Sequence, residues 1–169
     1  MTTQLLLLGL GTVAPELRHF EFRVTAMTIL STWAVANLVV GGAGAALARA
    51  HWWRIFFGAN AAWNLVNLAI ASFGLWAAAS HEPGTYVGGA LVREMVFFRD
   101  LLVLNVGLDV GYVMAGVVAW LWGRDRPCPW RSAIGVALVV QGIFLFVFDL
   151  MASSRVTAQL QPLWSEIGG

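Results

Sequence analysis

The sequence predicts an all-α protein: a membrane-spanning antiparallel four-helix bundle with short interfacial segments at both ends. Composition is the first observation behind this prediction. Of the 169 residues, 59% are hydrophobic and only 11% are charged, whereas charged residues make up about 25% of a soluble domain. The second observation is that four long apolar runs contain nearly all of the chain. About 20 such residues cross a bilayer as a helix.

The four apolar runs define one transmembrane domain, residues 1–169. Helices are required, because lipid offers no hydrogen-bond partners to an open backbone. The short connection from Arg49 to Arg54 predicts that the first two spans pack as an antiparallel hairpin. The segment from Leu91 to Phe98 has a helical pattern, so the third helix is predicted to begin before its span. The predicted spans are 24–48, 55–79, 99–123 and 132–154.

The ends of the chain carry shorter segments. The stretch from Leu5 to Val13 is too short to span a bilayer, and no basic residue precedes it. We interpret it as an interfacial or re-entrant segment, with a removed targeting peptide as the alternative. The tail after Arg155 is amphipathic, and Trp164 is its expected interface anchor.

Composition and motifs also exclude or disfavour several functions. A net charge of +1 gives no case for nucleic-acid binding, and the single cysteine, Cys128, excludes an internal disulfide. The sequence has no lysine, which excludes a Schiff-base mechanism. Its three histidines lie outside the spans, which disfavours a transmembrane haem. Neither a metal-ligand spacing nor a nucleophile beside a histidine is present. We therefore predict no catalytic residue, metal or cofactor, and an enzyme is the less favoured class.

The arginines indicate the orientation in the membrane. Side A is the side that holds both termini, and side B is the opposite side. Each side has five arginines, but those of side B lie in two short loops, close to the spans. Cytoplasmic loops are enriched in basic residues near the spans, so we predict that side B is cytoplasmic and that both termini lie outside. Cys128 would then lie in a reducing compartment.

Each span has an amide or a carboxylate near its middle: Asn37, Asn67, Asp109 and Gln141. A bilayer core strongly disfavours such groups, so four of them at similar depth indicate one cluster. At about 1.5 Å of rise per residue, all four fall close to the midplane. The sequence therefore predicts a polar centre in the bundle.

Helical spacing extends this polar centre along each helix. Trp33 and Asn37 lie four residues apart on one face, and Asn60 begins a similarly spaced stripe on the second helix. The stripes predict that every helix turns a polar seam toward a common axis. The candidate ligand- or ion-binding residues are Asp109, Asn37, Asn67, Asn105, Gln141, Asn64, Trp33, Trp63, Tyr112 and Asp149.

Two interpretations of the polar centre remain open. In one, the amides only join helices, at about 0.6–2 kcal/mol for each hydrogen bond, and the protein is a structural or assembly subunit of a larger membrane complex. In the other, the centre binds or passes a small polar ligand, ion or proton, because an intramembrane carboxylate is a functional candidate. The charge would then be borne by Asp109.

In the ligand-binding interpretation, Asp149 lies closer to side A and is an outer relay. Arg23 and Arg99 are its expected partners at that depth. The amides expected to form the hydrogen-bonding shell of Asp109 are those of Asn37, Asn67, Asn105 and Gln141.

The sequence also bears on partners. Gly107 and Gly111 lie on the face of the third helix opposite Asp109, and their spacing permits close contact between helices. This face serves either a homo-oligomer or packing within the bundle. The expected partners are therefore the lipid bilayer and either a second copy of the chain or a membrane-complex subunit.

Three segments carry a family resemblance: residues 63–67 (WNLVN), 104–112 (LNVGLDVGY) and 141–149 (QGIFLFVFD). They resemble the signature segments of an uncharacterised family of bacterial four-span integral membrane proteins. The resemblance covers the four spans and leaves out both ends. It implies a protein of the bacterial inner membrane, and it brings no activity.

Overall fold

The computed structural model describes residues 14–81, 84–125 and 128–167, with side chains up to Trp164. In these ranges the chain forms four long α-helices joined by short connections. Each helix is long and apolar enough to cross a membrane, so the predicted all-α, membrane-spanning four-helix bundle is confirmed. The helices are α1 Pro15–Leu47, α2 His51–Ala79, α3 Gly88–Asp125 and α4 Pro129–Ile167.

The helix ends follow from local sequence. Pro15 opens α1, a position where its missing N–H is not needed. As predicted, the turn between α1 and α2 is tight, and α3 begins well before its predicted span. The tail after Arg155 continues α4 as one helix rather than forming a separate segment. The predicted interfacial segment from Leu5 to Val13 lies outside the described residues.

The bundle consists of two antiparallel hairpins, α1–α2 and α3–α4. They join mainly through α2 and α4, and more narrowly through α1 and α4. Glycine permits the closest approach within the second hairpin, where a Cβ on Gly116 would lie 2.7 Å from Gly135 O, and a Cβ on Gly135 2.6 Å from Gly116 O. Small residues at such crossings are typical of membrane helices.

Apolar side chains fill two regions of the interior. A small cluster of Leu30, Ala71 and Leu145 lies where the two hairpins meet. The larger cluster joins the side A ends of α3 and α4 and extends beyond the predicted spans, which explains why both helices continue there. Its buried members are Leu91, Met95, Leu102, Ala152, Val156 and Leu160.

Candidate functional site

Gln141 of α4 is the centre of a hydrogen-bonded group that joins three helices. Its Nε2 donates to Asn60 Oδ1 of α2 at 2.8 Å and to Asn37 Oδ1 of α1 at 3.5 Å. Its Oε1 accepts a hydrogen bond from Trp33 Nε1 of α1 at 3.1 Å. These four residues are called the amide cluster below. Gln141 is 1% exposed, so its side chain is a buried link between the two hairpins.

The other polar atoms of the amide cluster are also bonded. Asn37 Nδ2 donates to Trp33 O, and Asn60 Nδ2 donates to Phe56 O, both at 2.9 Å. The Trp33 indole stacks on Phe144 of α4, with ring centroids 3.8 Å apart and an angle of 7° between planes. Donors and acceptors are thus matched inside the cluster. That is what a stable interhelical contact in lipid requires.

Asn64 and Asn67 extend the polar seam along α2 with bonds inside the helix. Asn64 Nδ2 donates to Asn60 O at 2.8 Å, and Asn67 Nδ2 donates to Asn64 Oδ1 at 3.3 Å. Both side chains are buried. Asn67 also lines the cavity described below, so this seam connects the amide cluster to that cavity.

Asp109 of α3 and Asp149 of α4 form a second polar group, the carboxyl pair, whose members are 2% and 5% exposed. The two side chains lie within hydrogen-bonding range of each other. Side chains tilt toward the N-terminus of their own helix. Since α3 and α4 are antiparallel, Asp109 leans toward side A and Asp149 toward side B, so the two converge. Carboxyl groups can bond to each other only through a proton, so a hydrogen bond within the pair requires that at least one of the two groups is protonated.

The carboxyl pair lacks the partners that satisfy the amide cluster. Asp109 Oδ2 has no hydrogen-bond partner among the described residues, although it is fully enclosed. The Nε1 atom of Trp63 is buried and unpartnered as well. Buried polar atoms without a hydrogen-bond partner are rare in native proteins, and a functional role is one explanation for them.

A cavity of about 350 Å³ adjoins the carboxyl pair and is called the central cavity below. Both aspartates line it, as does Trp63, so the unpartnered atoms belong to residues of its wall. Its volume falls within the range of pockets that bind small molecules. Other lining residues include Met27 and Leu30 of α1, Asn67 and Ile70 of α2, Asn105 and Tyr112 of α3, and Leu145 and Phe148 of α4.

Three of the lining residues on α2 and α3 give the cavity its aromatic and polar character. The rings of Trp63 and Tyr112 meet edge to face, with centroids 4.9 Å apart and an angle of 78°. Asn105 is exposed to the cavity and the outer surface. An amide exposed to acyl chains at this depth is unfavourable. Asn105 therefore indicates that a polar group contacts the mouth of the cavity.

The side A end of the central cavity is lined by Arg23 of α1 and Glu94 of α3. Arg23 Nη1 donates to Glu94 Oε1, and His19 Nε2 lies 2.6 Å from Glu94 Oε2. His19 is 3% exposed, and its Nδ1 has no hydrogen-bond partner in the described chain. These contacts tie α1 to α3 where the cavity nears the side A surface.

The structure corrects two expectations about individual residues. Arg23 binds Glu94, and Arg99 binds its neighbour Asp100 with Nη2–Oδ1 2.7 Å. Neither arginine therefore pairs with Asp149, which instead meets Asp109, because the antiparallel helices tilt the two side chains together.

The expected amide shell around Asp109 is also wrong. Asn37 and Gln141 bond within the amide cluster, and Asn67 bonds to Asn64. Asn105 shares the cavity but is exposed rather than buried. The single polar centre is thus two neighbouring groups, one of amides and one of carboxyls.

Sequence reasoning missed some residues of this region. Asn60 belonged to the stripe on α2 but was not a candidate, although it accepts the shortest hydrogen bond from Gln141. The helical spacing of the α2 stripe, which begins at Asn60, is the sequence signal that could have identified it as a site residue. His19 and Glu94 are 75 positions apart, and no local pattern joins them. In the described residues, no group of three or more His, Cys, Asp or Glu side chains is arranged to hold a metal ion.

The fold and the buried polar groups define a multi-pass α-helical membrane protein. Residues 29–150 match the model of a family described as "Family of unknown function (DUF6992)", and the chain belongs to this family. The matched region includes every candidate ligand-binding residue. No curated protein and no solved structure matches the sequence.

Proposed function

We propose that the protein binds or passes a small polar ligand, ion or proton at the carboxyl pair, while the amide cluster joins the helices. One observation carries this proposal: Asp109 and Asp149 are buried together beside a cavity of about 350 Å³. An ionisable group at this depth is costly and is a functional candidate by default. Packing alone does not account for an enclosed Asp109 Oδ2 atom without a donor.

The proposal gives each group a distinct role. Asp109 and Asp149 hold the proton or bind the ligand directly. Asn67, Asn105, Trp63 and Tyr112 line the space that the ligand would occupy. The amide cluster keeps the two hairpins in register, which fixes the distance between α2 and α3 across that space. No step of bond making is invoked, so the protein acts as a binding or transport protein rather than an enzyme.

A carbodiimide experiment tests the carboxyl pair. Dicyclohexylcarbodiimide is lipid-soluble and reacts with protonated carboxyl groups, so it should label Asp109 or Asp149 in native membranes. Mass spectrometry of the digested protein would locate the adduct. Substituting both residues, Asp109→Asn and Asp149→Asn, should abolish labelling of these two peptides.

Asp100 provides the matched control, because its carboxylate is 58% exposed and bonds to Arg99. A water-soluble carbodiimide should label Asp100 and spare the carboxyl pair. Labelling confined to Glu94, which lines the same cavity, or absent from both aspartate peptides would contradict the proposal.

The proposal includes a location: the bacterial inner membrane, with both termini outside. The family resemblance favours the bacterial membrane, and the density of arginines in the side B loops favours a cytoplasmic side B. Cys128 is the only cysteine and is half-buried in the side B loop. A membrane-impermeant maleimide should therefore label it in inside-out vesicles and not in intact spheroplasts. Labelling in intact spheroplasts would reverse the orientation.

A second candidate function is that of a homo-oligomeric or assembly subunit. It is favoured by Gly107 and Gly111, where an added Cβ would meet open space. The face they share therefore points away from the other helices, which removes packing within the bundle as their purpose. Light scattering in mild detergent tests this candidate: Gly107→Leu should lower the oligomer mass if the face is an interface. A wild-type monomer that carries no partner protein would exclude it.

A further inference from the structure

The central cavity opens sideways, between α2 and α3. In the described chain, α2 and α3 are not among the closely packed helix pairs. Apolar residues of both helices line the cavity and are also exposed on the outer surface, among them Val66 and Phe73 on α2 and Phe97 and Leu108 on α3. In a bilayer these side chains face the acyl chains. A molecule dissolved in the membrane can therefore reach the cavity laterally.

The floor of the cavity is formed by two carboxyl groups, those of Asp109 and Asp149, without a basic partner among the described residues. In apolar surroundings a carboxyl group keeps its proton unless a positive charge lies beside it. The arginines nearest in depth are engaged elsewhere in the described structure, Arg23 with Glu94 and Arg99 with Asp100. A buried charge requires a counter-charge or a proton. A cation can therefore take the place of a carboxyl proton on the floor.

The wall of the cavity favours an organic cation over a hydrated inorganic ion. Trp63, Tyr112, Phe98 and Phe148 all contribute to the lining. The faces of aromatic rings attract organic cations, most strongly when the cation has lost its water. Among the described residues, no third His, Cys, Asp or Glu side chain joins the two acids in an arrangement that could hold a metal ion.

We propose that the central cavity binds a lipophilic cation, a molecule with an apolar body and one positive charge. The cation enters from the bilayer, between α2 and α3. This inference rests on the proposed function and names its ligand class. The apolar body lies between the walls of α2 and α3, and the charge lies against Asp109 and Asp149. Binding displaces one carboxyl proton into water, so one positive charge replaces another.

Other charged or titratable groups also face this space. They are Arg23 from α1 and Glu94 and Tyr112 from α3, and α2 adds none among its described lining residues. Glu94 already has Arg23 and His19 as partners. The proton released on binding is therefore assigned to the carboxyl pair, and the variants below check that assignment.

Benzyltrimethylammonium is a suitable probe, because its charge is permanent and it has no proton to lose. The full chain in nanodiscs should bind the radiolabelled probe and release about one proton per cation, measured with a pH indicator in weak buffer. Neopentylbenzene has the same shape without charge and should neither compete nor release protons. Tetramethylammonium has the charge without the apolar body and should bind about tenfold more weakly.

Variants separate the site from the fold. Asp109→Asn should abolish proton release and weaken binding at least about tenfold, while Asp100→Asn should behave as wild type. Leu108→Trp fills the exposed mouth without touching the floor and should also weaken probe binding. Its control is Val103→Trp, at a residue of α3 that is 55% exposed and does not line the cavity.

The outcomes distinguish this inference from the proposed function. Equal binding of tetramethylammonium would overturn the lipophilic class and leave a cation site at the carboxyl pair. Equal competition by neopentylbenzene would show a groove for lipid tails and overturn the inference. If no cation binds while carbodiimide still labels the pair, the inference fails and the proposed function stands. If the pair is not labelled either, both fail.

Discussion

The amide cluster and the carboxyl pair lie side by side in one bundle, yet they differ in almost every physical respect. Gln141 bonds to residues of two other helices, and its partners are themselves bonded. Among the described residues, the polar partner of the Asp109 side chain is another acid, and its Oδ2 is enclosed without a donor. One group is packed against Phe144, whereas the other borders the central cavity.

This difference teaches how to interpret polar residues inside a membrane. Burial and depth alone do not separate a structural contact from a binding site, because both groups have them. Two other properties distinguish a structural contact from a binding site: whether the polar atoms have hydrogen-bond partners, and whether a cavity lies beside them. By these criteria the amides act in helix association, as for many membrane helices, and the acids form the candidate site. Substitutions in each group test whether the division holds.

The largest effect is expected when both acids are neutralised. In Asp109→Asn with Asp149→Asn, the two amides can bond to each other, but the pair can neither release a proton nor oppose a cation. Probe binding and proton release should be lost, while the free energy of unfolding should fall by less than about 1 kcal/mol, because the two amides can replace the hydrogen bond between the acids. Binding assays and unfolding in mixed detergent micelles measure the two quantities. A large loss of stability would show that the acids hold the fold.

The opposite pattern is expected at the amide cluster. Gln141→Leu removes the link between the hairpins and leaves Asn60, Asn37 and Trp33 with unpaired groups. It should lower the free energy of unfolding by about 1–3 kcal/mol, and probe binding should stay within about twofold of wild type in the folded fraction. The same unfolding and binding assays apply. Loss of binding in a folded Gln141→Leu protein would show that the amide cluster and the carboxyl pair form one binding site.

A smaller effect is expected at Trp63, which belongs to the cavity but not to the carboxyl pair. Trp63→Phe keeps an aromatic ring against Tyr112 and removes the unpartnered indole N–H. A cation does not need that donor, so its affinity should fall only about two- to threefold through the weaker ring. A neutral ligand with an acceptor would lose more. Competition binding compares the two kinds of ligand, and a loss of tenfold for the cation would reassign Trp63 to direct recognition.

The smallest effect is expected at Asn105. Asn105→Leu replaces an exposed amide at the cavity mouth with a side chain that lipid accepts readily. The free energy of unfolding should change by less than about 0.5 kcal/mol, and the association rate of the probe should change more than its affinity. Rapid mixing experiments measure that rate. A destabilised Asn105→Leu protein would mean that this amide has a structural partner in the membrane.

The helices and their membrane character were predictable because they depend on composition and length, which are properties of the sequence itself. The hairpin of α1 and α2 followed from the short connection, and the early start of α3 from a local pattern. The continuation of α4 to Ile167 was not foreseen. It depends on Val156 and Leu160 packing against Leu91 and Met95 of α3, a contact between distant parts of the chain.

The candidate site was predictable in its members but not in its pairing. Depth along the helices placed the amides and Asp109 near one level, and that information is in the sequence. Whether Asn37 meets Asp109 or Gln141 depends on helix rotation and neighbour order. The meeting of Asp109 with Asp149 depends on the opposite tilts of side chains in antiparallel helices. No single helix contains that information.

Infrared difference spectroscopy tests the central claim most directly, because the C=O stretch of a protonated carboxyl group is separate from that of amides. The account predicts a protonated carboxyl band in the wild-type protein that is lost in Asp109→Asn with Asp149→Asn and persists in Gln141→Leu. Adding benzyltrimethylammonium should bleach this band. A band that is absent from the wild type, or unchanged by removal of both acids, would contradict the account.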